Sequence, residues 1–180
     1  MNSKKLAHEA GHIVFVHPSL MGGGAERVSL ALASYFVSHG IRFTYFLTKS
    51  NVIEYEVPDG VEVCSEFADA SLKPLDQVKL IRRFVSERPK ATVISFLPHQ
   101  NMYTLMATVG LPNRVIVSVR NDPRYDFPGN KILPFIRNLL YRRSDAIVFQ
   151  TKSQASLMPR YLQANSKIIL NPISSELPEP

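Results

Sequence analysis

A chain of 180 residues with 45% hydrophobic and 20% charged residues has the composition of one globular α/β domain, which excludes disorder, collagen-like repeats and coiled coil. The longest apolar runs, Ile13-Val14-Phe15-Val16 and Val93-Ile94-Ser95-Phe96-Leu97, fall far short of the roughly 18 residues that cross a bilayer, and no apolar stretch follows the amino-terminal lysines as in a secretory signal, so a cytoplasmic location is expected. The net charge of +6 is concentrated between Arg114 and Arg160, where nine Lys and Arg face three Asp; such a block suits an anionic partner or serves only as a solubilising face.

In chain order, Ile13 to His17 reads as a buried strand closed by Pro18, and Gly22-Gly23-Gly24 breaks the chain before a helix from Ala25 to Gly40. The apolar stripe of that helix is Val28, Ala31, Leu32, Tyr35 and Phe36. Arg42 to Leu47 and Val61 to Phe67 read as the next strands, with Pro58-Asp59-Gly60 turning between them. Asp76 is placed to cap a helix with the stripe Val78, Leu80, Ile81, Phe84 and Val85, Arg82 and Arg83 pointing to solvent and Pro89 ending it. Cys64 is the single cysteine, so neither an internal disulfide nor a thiolate zinc cluster can form, and it is expected to pack as a small apolar side chain.

Thr92 to Phe96 is a further strand, followed by the loop Leu97-Pro98-His99-Gln100-Asn101 and a helix running to Val109. After a strand at Arg114 to Val119, a polar loop from Arg120 to Asn130 leads to a helix over Ile132 to Arg143. Helical spacing turns Ile132, Ile136, Leu139 and Leu140 toward the sheet and leaves Arg137 and Arg142 outside. Ala146 to Phe149, a helix over Ser153 to Leu162 and a strand at Lys167 to Leu170 complete the series. Strands without polar alternation that alternate with helices specify an α/β fold, a Rossmann-like doubly wound parallel sheet covered on both faces. The expected division is an amino-terminal extension over residues 1–12, the domain over 13–170 and a proline-rich linker over 171–180.

Ligands of such sheets bind in the loops beyond the carboxyl ends of the strands. Three glycines there admit a close-approaching ligand or a positive-φ backbone, and the amides at a helix start favour an anion. The dinucleotide fingerprint is broken, because Arg27 stands where its last glycine belongs and Thr48, Lys49 and Ser50 replace the ribose-binding acid. No Gly-Lys-Ser/Thr occurs either, which excludes a nucleotide triphosphate P-loop.

The run Gly22-Gly23-Gly24-Ala25-Glu26-Arg27-Val28 after the first strand resembles the opening motif of family 4 glycosyltransferases, retaining enzymes of GT-B fold. Ile94-Ser95-Phe96-Leu97 with Asn101, Ser118-Val119-Arg120-Asn121-Asp122-Pro123, Ser144-Asp145-Ala146-Ile147-Val148 and Ile169-Leu170-Asn171-Pro172-Ile173 extend the resemblance in family order. It implies the acceptor-side half of a GT-B enzyme, with the donor-binding half and its pair of glutamates outside these residues and no catalytic residue within them. Gly22, Gly23 and Gly24 would then face the diphosphate of a nucleotide-sugar donor. His99, Asn101, Arg120, Asn121 and Asp122 would line the sugar and acceptor cleft, although His99 is displaced by about two places from the family histidine. Glu26 reads as a carboxylate that stabilises the helix dipole, and Arg120 alternatively as an ion-pair partner of Asp122 or Asp126.

The expected partners are a nucleotide-sugar donor and a glycan or lipid-linked acceptor, in polysaccharide, lipopolysaccharide or lipid-linked oligosaccharide synthesis. No cofactor and no metal are expected, because carboxylates and histidines do not cluster at ligand spacing. The basic block, interleaved with Tyr125, Phe127, Phe135 and Tyr141, suits peripheral contact with an anionic membrane at its inner face. A non-catalytic Rossmann-like module that binds an anion or nucleotide is the alternative. Nucleic acid is not expected, since no helix-turn-helix, RNP or zinc pattern accompanies the charge.

Overall fold

The computed structural model describes residues 11–65 and 67–172, and the expected linker beyond Pro172 lies outside them. Among the described residues seven strands form one sheet, β1 (His12–His17), β2 (Arg42–Leu47), β3 (Val61–Cys64), β4 (Thr92–Phe96), β5 (Val115–Ser118), β6 (Ala146–Phe149) and β7 (Ser166–Ile168). Their order is β3-β2-β1-β4-β5-β6-β7 and every pairing is parallel, with Ile13 opposite Phe43 on one side and Thr92 on the other. The helices are α1 (Gly24–Ser38), α2 (Pro74–Ser86), α3 (Pro98–Ala107), α4 (Ile132–Tyr141), α5 (Lys152–Ser156) and α6 (Arg160–Gln163).

Side chains on successive residues of a strand leave opposite faces, so the central strands feed two cores. Ile13 and Phe15 of β1 pack with Leu30 and Ala33 of α1, Phe43 and Tyr45. Val14 and Val16 pack with Ile81, Phe84 and Val85 of α2, Leu105 of α3 and Tyr141 of α4. Cys64 is half-buried against the second of these cores.

Several elements depart from expectation for local reasons. β3 ends at Cys64 rather than Phe67, and α2 opens at Lys73-Pro74, with Asp76 inside its first turn instead of capping it. Pro74 supplies the helical φ and needs no donor at that position. Pro98 does the same for α3, so His99, Gln100 and Asn101 lie in a helix turn and not in a loop. The helix expected over Ser153 to Leu162 is two helices, because Pro159 cannot donate into a continuous one and becomes the cap of α6.

Helix α1 buries a polar position beside its expected stripe, and α4 is rotated from its own. Ser29 of α1 is fully buried, accepting a hydrogen bond from the Tyr45 hydroxyl at 2.9 Å and donating to the Glu26 carbonyl at 2.8 Å, so a polar position faces the core. Val28, Leu32 and Phe36 of the expected stripe pack half-buried against the same core, and with Ala31 and Tyr35 they border an open apolar groove of about 440 Å³ that Ile94, Phe96, Ile116, Val148, Ile169 and Leu170 also line. In α4 the expected exposure is inverted. Arg137 is 4% exposed while Ile132, Phe135 and Leu139 are 68%, 71% and 54% exposed. The loop before α4 folds back to supply the partners, the Asp126 carboxylate at 2.5 Å and the Pro123 carbonyl at 2.8 Å, which together compensate the desolvated guanidinium. Arg142 is exposed as expected, and Ile136 and Leu140 are half-buried.

Candidate functional site

The strand order reverses between β1 and β4, and the crevice outside the carboxyl ends of these strands is the preferred ligand position in a doubly wound sheet. A hollow of about 310 Å³ lies there, lined by Pro18, Lys49, Leu97, His99, Gln100 and Tyr103. Leu97 joins β4 to α3 at φ 72° and ψ 140°, the one non-glycine residue with positive φ among those described. That backbone region suits glycine almost alone, and strain of this kind concentrates at binding sites. Gln100 is buried and accepts from the Thr48 hydroxyl at 3.2 Å, while its Nε2 is a buried donor without a partner. His99 stands over Phe127 in an edge-on contact at 4.9 Å. Burial holds its pKa below the usual histidine value and the charge of Lys49 adds to the effect, so a neutral imidazole and a lysine ammonium border the same hollow.

The glycine loop enters from β1. The Gly22 amide donates to Glu54 Oε2 at 2.7 Å and the Gly23 amide to the Tyr55 hydroxyl at 2.8 Å. A carboxylate oxygen therefore already sits on one of the amides expected to meet a diphosphate. None of Gly22, Gly23 and Gly24 adopts the left-handed backbone region, Gly23 being extended at φ 172°. What Gly23 provides is space: a Cβ there would collide with Glu26 Oε2, whereas one on Gly24 would meet open space. Glu26, in the first turn of α1, is buried beside His17, with Oε1 at 3.9 Å from His17 Nε2. His17 Nδ1 donates to the Ser19 carbonyl at 2.6 Å and Nε2 has no hydrogen-bond partner. Burial depresses the His17 pKa against the opposing influence of the Ser19 carbonyl and Glu26, which leaves Nε2 as a buried acceptor.

The candidates after β5 gather elsewhere along the same edge. Arg120, Asn121 and Asp122 border a polar hollow of about 440 Å³ with Gln150 and Thr151, which follow β6. Arg120 pairs with neither Asp122 nor Asp126. Its Nη2 donates to Asn171 Oδ1 at 2.5 Å, its guanidinium lies 4.8 Å from the Phe96 ring centre, and its buried Nε has no partner. Asp122 is held by Arg124 in a two-oxygen contact at 3.1 Å and 2.7 Å, which depresses its carboxyl pKa. The Asn121 carbonyl accepts from Gln154 Nε2 at 2.8 Å.

Asn101 lies away from these hollows. It is fully buried, accepts from the Ser95 hydroxyl at 2.8 Å and donates to the Ser118 carbonyl and the Tyr141 hydroxyl, each at 2.9 Å. This amide joins β4, β5 and α4 from inside the domain. The candidates thus separate into His99 at the strand reversal, the Arg120-Asn121-Asp122 group one strand further on, and Asn101 in the scaffold. Sequence reasoning passed over Lys49, Gln100, Tyr103 and the His17–Glu26 pair; only their places at strand ends could have singled them out. Among the described residues no three His, Cys, Asp or Glu side chains converge, and no described helix is long and apolar enough to cross a membrane.

No protein-family profile matches the chain. It is similar to the GalNAc-alpha-(1->4)-GalNAc-alpha-(1->3)-diNAcBac-PP-undecaprenol alpha-1,4-N-acetyl-D-galactosaminyltransferase of Campylobacter jejuni, with 27% identity over 166 residues. That alignment covers 89% of this chain and 45% of the Campylobacter enzyme, so the chain spans less than half the length of this relative. In structure it resembles a sucrose-phosphate synthase from Thermosynechococcus elongatus with a TM-score of 0.57 and 9% identity, covering 92% of this chain and 90% of that one. The chain therefore has the Rossmann-like fold of a GT-B domain and is related in sequence to a glycosyltransferase.

Proposed function

Starting from a GT-B domain related to a glycosyltransferase, we propose that this chain is the acceptor-side half of a retaining, family 4 type enzyme that transfers a hexosyl unit from a nucleotide-sugar donor to a glycan or lipid-linked acceptor in the cytoplasm. Residues 13–170 form the domain and the segment from 171 leads to a donor-binding half. The observation that carries the reading is the alignment to the Campylobacter transferase over 89% of the chain. The site supports it: the Gly22 amide that already holds the Glu54 carboxylate can hold a phosphate oxygen once Glu54 withdraws. Lys49 and Arg120 add positive charge along the same edge. The unpartnered Gln100 amide and the neutral His99 supply hydrogen bonds suited to sugar hydroxyls.

Transition-state stabilisation needs donor and acceptor fixed together, so half a cleft cannot preorganise the reaction. The isolated chain is expected to be silent, and the protein encoded by its full natural reading frame to transfer labelled sugar from one of a panel of nucleotide sugars to a polyprenyl-diphosphate-linked glycan. Turnover by the isolated chain above a no-protein control refutes the half-enzyme reading. Absence of transfer by the full protein with every donor and acceptor, alongside binding of a nucleotide, favours the non-catalytic module.

A further inference from the structure

Helix α4 leaves three of its large apolar side chains outside the core. Ile132, Phe135 and Leu139 recur along one face and are 68%, 71% and 54% exposed, while the charged residue of the helix, Arg137, is the one turned inward. The inversion is built in. Asp126 and the Pro123 carbonyl hold Arg137 inside, and Tyr141, 1% exposed, is fixed by the Asn101 amide, so the helix cannot roll to hide the stripe without stranding a buried cation.

The stripe is framed by positive charge. Within α4 there is no acid, and Lys131, Arg142 and Arg143 at its two ends are exposed. Each of the three acids of the basic block is engaged: Asp122 by Arg124, Asp126 by Arg137, and Asp145 by the Val115 amide at 2.7 Å. Two further tyrosines are exposed: Tyr125, 71% exposed, in the loop that precedes α4, and Tyr161, 55% exposed, with the Arg142 guanidinium 5.6 Å from its ring centre.

We propose that this outward face of α4 is a membrane-docking surface, in which Ile132, Phe135 and Leu139 enter the headgroup boundary of an anionic bilayer while Lys131, Arg142 and Arg143 meet the lipid phosphates. A helix of 10 residues is about 15 Å long, too short to span a bilayer and suited to lying in its interfacial plane. The three apolar side chains expose roughly 350 Å² together, well under the about 800 Å² that each partner of a stable protein interface contributes. Exposed cations around an aliphatic and aromatic patch, together with two exposed tyrosines, match the composition of an interfacial anchor. The surface is independent of the transferase reading, since none of the side chains proposed to meet the bilayer belongs to the candidate cleft.

The test is co-sedimentation of the 180-residue chain with vesicles of phosphatidylcholine alone or mixed with phosphatidylglycerol, at low and high salt. Binding is expected to the anionic vesicles only and to fall with salt. Arg142→Gln and Arg143→Gln should each weaken partitioning about fivefold and the pair about thirtyfold. Phe135→Ser with Leu139→Ser should abolish it while leaving the circular dichroism spectrum and melting temperature unchanged, because both positions are exposed. Leu32→Ser with Tyr35→Ser, in the open groove beside α1, should leave partitioning at the parent value. Failure to bind anionic vesicles at low salt, loss of binding through the groove variant, or a solution dimer dissolved by the Phe135 and Leu139 substitutions would each overturn the proposal.

Discussion

Replacing Asn101 with alanine separates a scaffold role from a cleft role. The side chain is fully buried and its three hydrogen bonds, one accepted from Ser95 and two donated to Ser118 and Tyr141, are contained within the domain. Each such bond contributes about 1 kcal/mol net, and truncation also leaves a small void and unpaired groups, so Asn101→Ala should cost about 3–4 kcal/mol. For a domain of this size that lowers the melting temperature by about 10 °C. Asn101→Asp preserves the shape but aims an acceptor at the Ser118 carbonyl, so the introduced carboxyl fits only when protonated. Its folded-state pKa must then exceed its unfolded value, and the stability it retains at low pH is lost as pH rises through that folded value. Thermal unfolding followed by circular dichroism at acidic and neutral pH measures both effects. Melting of Asn101→Ala within about 2 °C of the parent would refute the reasoning and return Asn101 to the cleft.

The glycine loop and His17 yield two further tests. Gly24→Ala enters open space at the first position of α1 and should leave stability within about 0.5 kcal/mol of the parent or raise it. Gly23→Ala displaces the Glu26 carboxylate and removes a good helix cap, at about 1–2 kcal/mol, and Glu26→Ala added to it should recover part of the loss. Equal costs for the two glycine substitutions by urea titration, or no recovery, would remove the spatial account. The folded-state pKa of His17 is depressed, so the stability due to its neutral form is complete above the unfolded value near 6.5 and drains away as pH falls below it. His12 and His99 are shifted in the same direction, so His17→Gln should shallow the acid-side decline in melting temperature without abolishing it; an unchanged slope would show that His17 titrates as in the unfolded chain.

The sheet could be read from the sequence because strands buried on both faces are written as continuous apolar runs: the expected bounds of β2, β4 and β6 are those observed. Helix faces were harder, since periodicity reports that a stripe exists and not what covers it. In α1 the stripe residues Val28, Leu32 and Phe36 do pack on the core, but the polar Ser29 is buried beside them because the Tyr45 hydroxyl claims it, a contact across 16 positions that no window of sequence displays. The inversion of α4 required Asp126 to reach back to Arg137 from a loop read only as polar. In the candidate site, the loops at the strand ends were legible from topology. The positive φ of Leu97, the vacant donor of Gln100 and the occupation of the Gly22 amide by Glu54 arise from packing alone.

The open groove beside α1 sets how these residues behave at high concentration. Water against a floor of Ile94, Phe96, Ile116 and Val148 is readily displaced by another apolar surface, so molecules of the domain attract one another through the groove while their net charge of +6 holds them apart. Added salt screens the repulsion and leaves the attraction intact. Colloidal stability should therefore decline as ionic strength rises, the opposite of the usual remedy for a basic protein that sticks, and the same salt that lifts the chain from an anionic vesicle should bring its molecules together in solution.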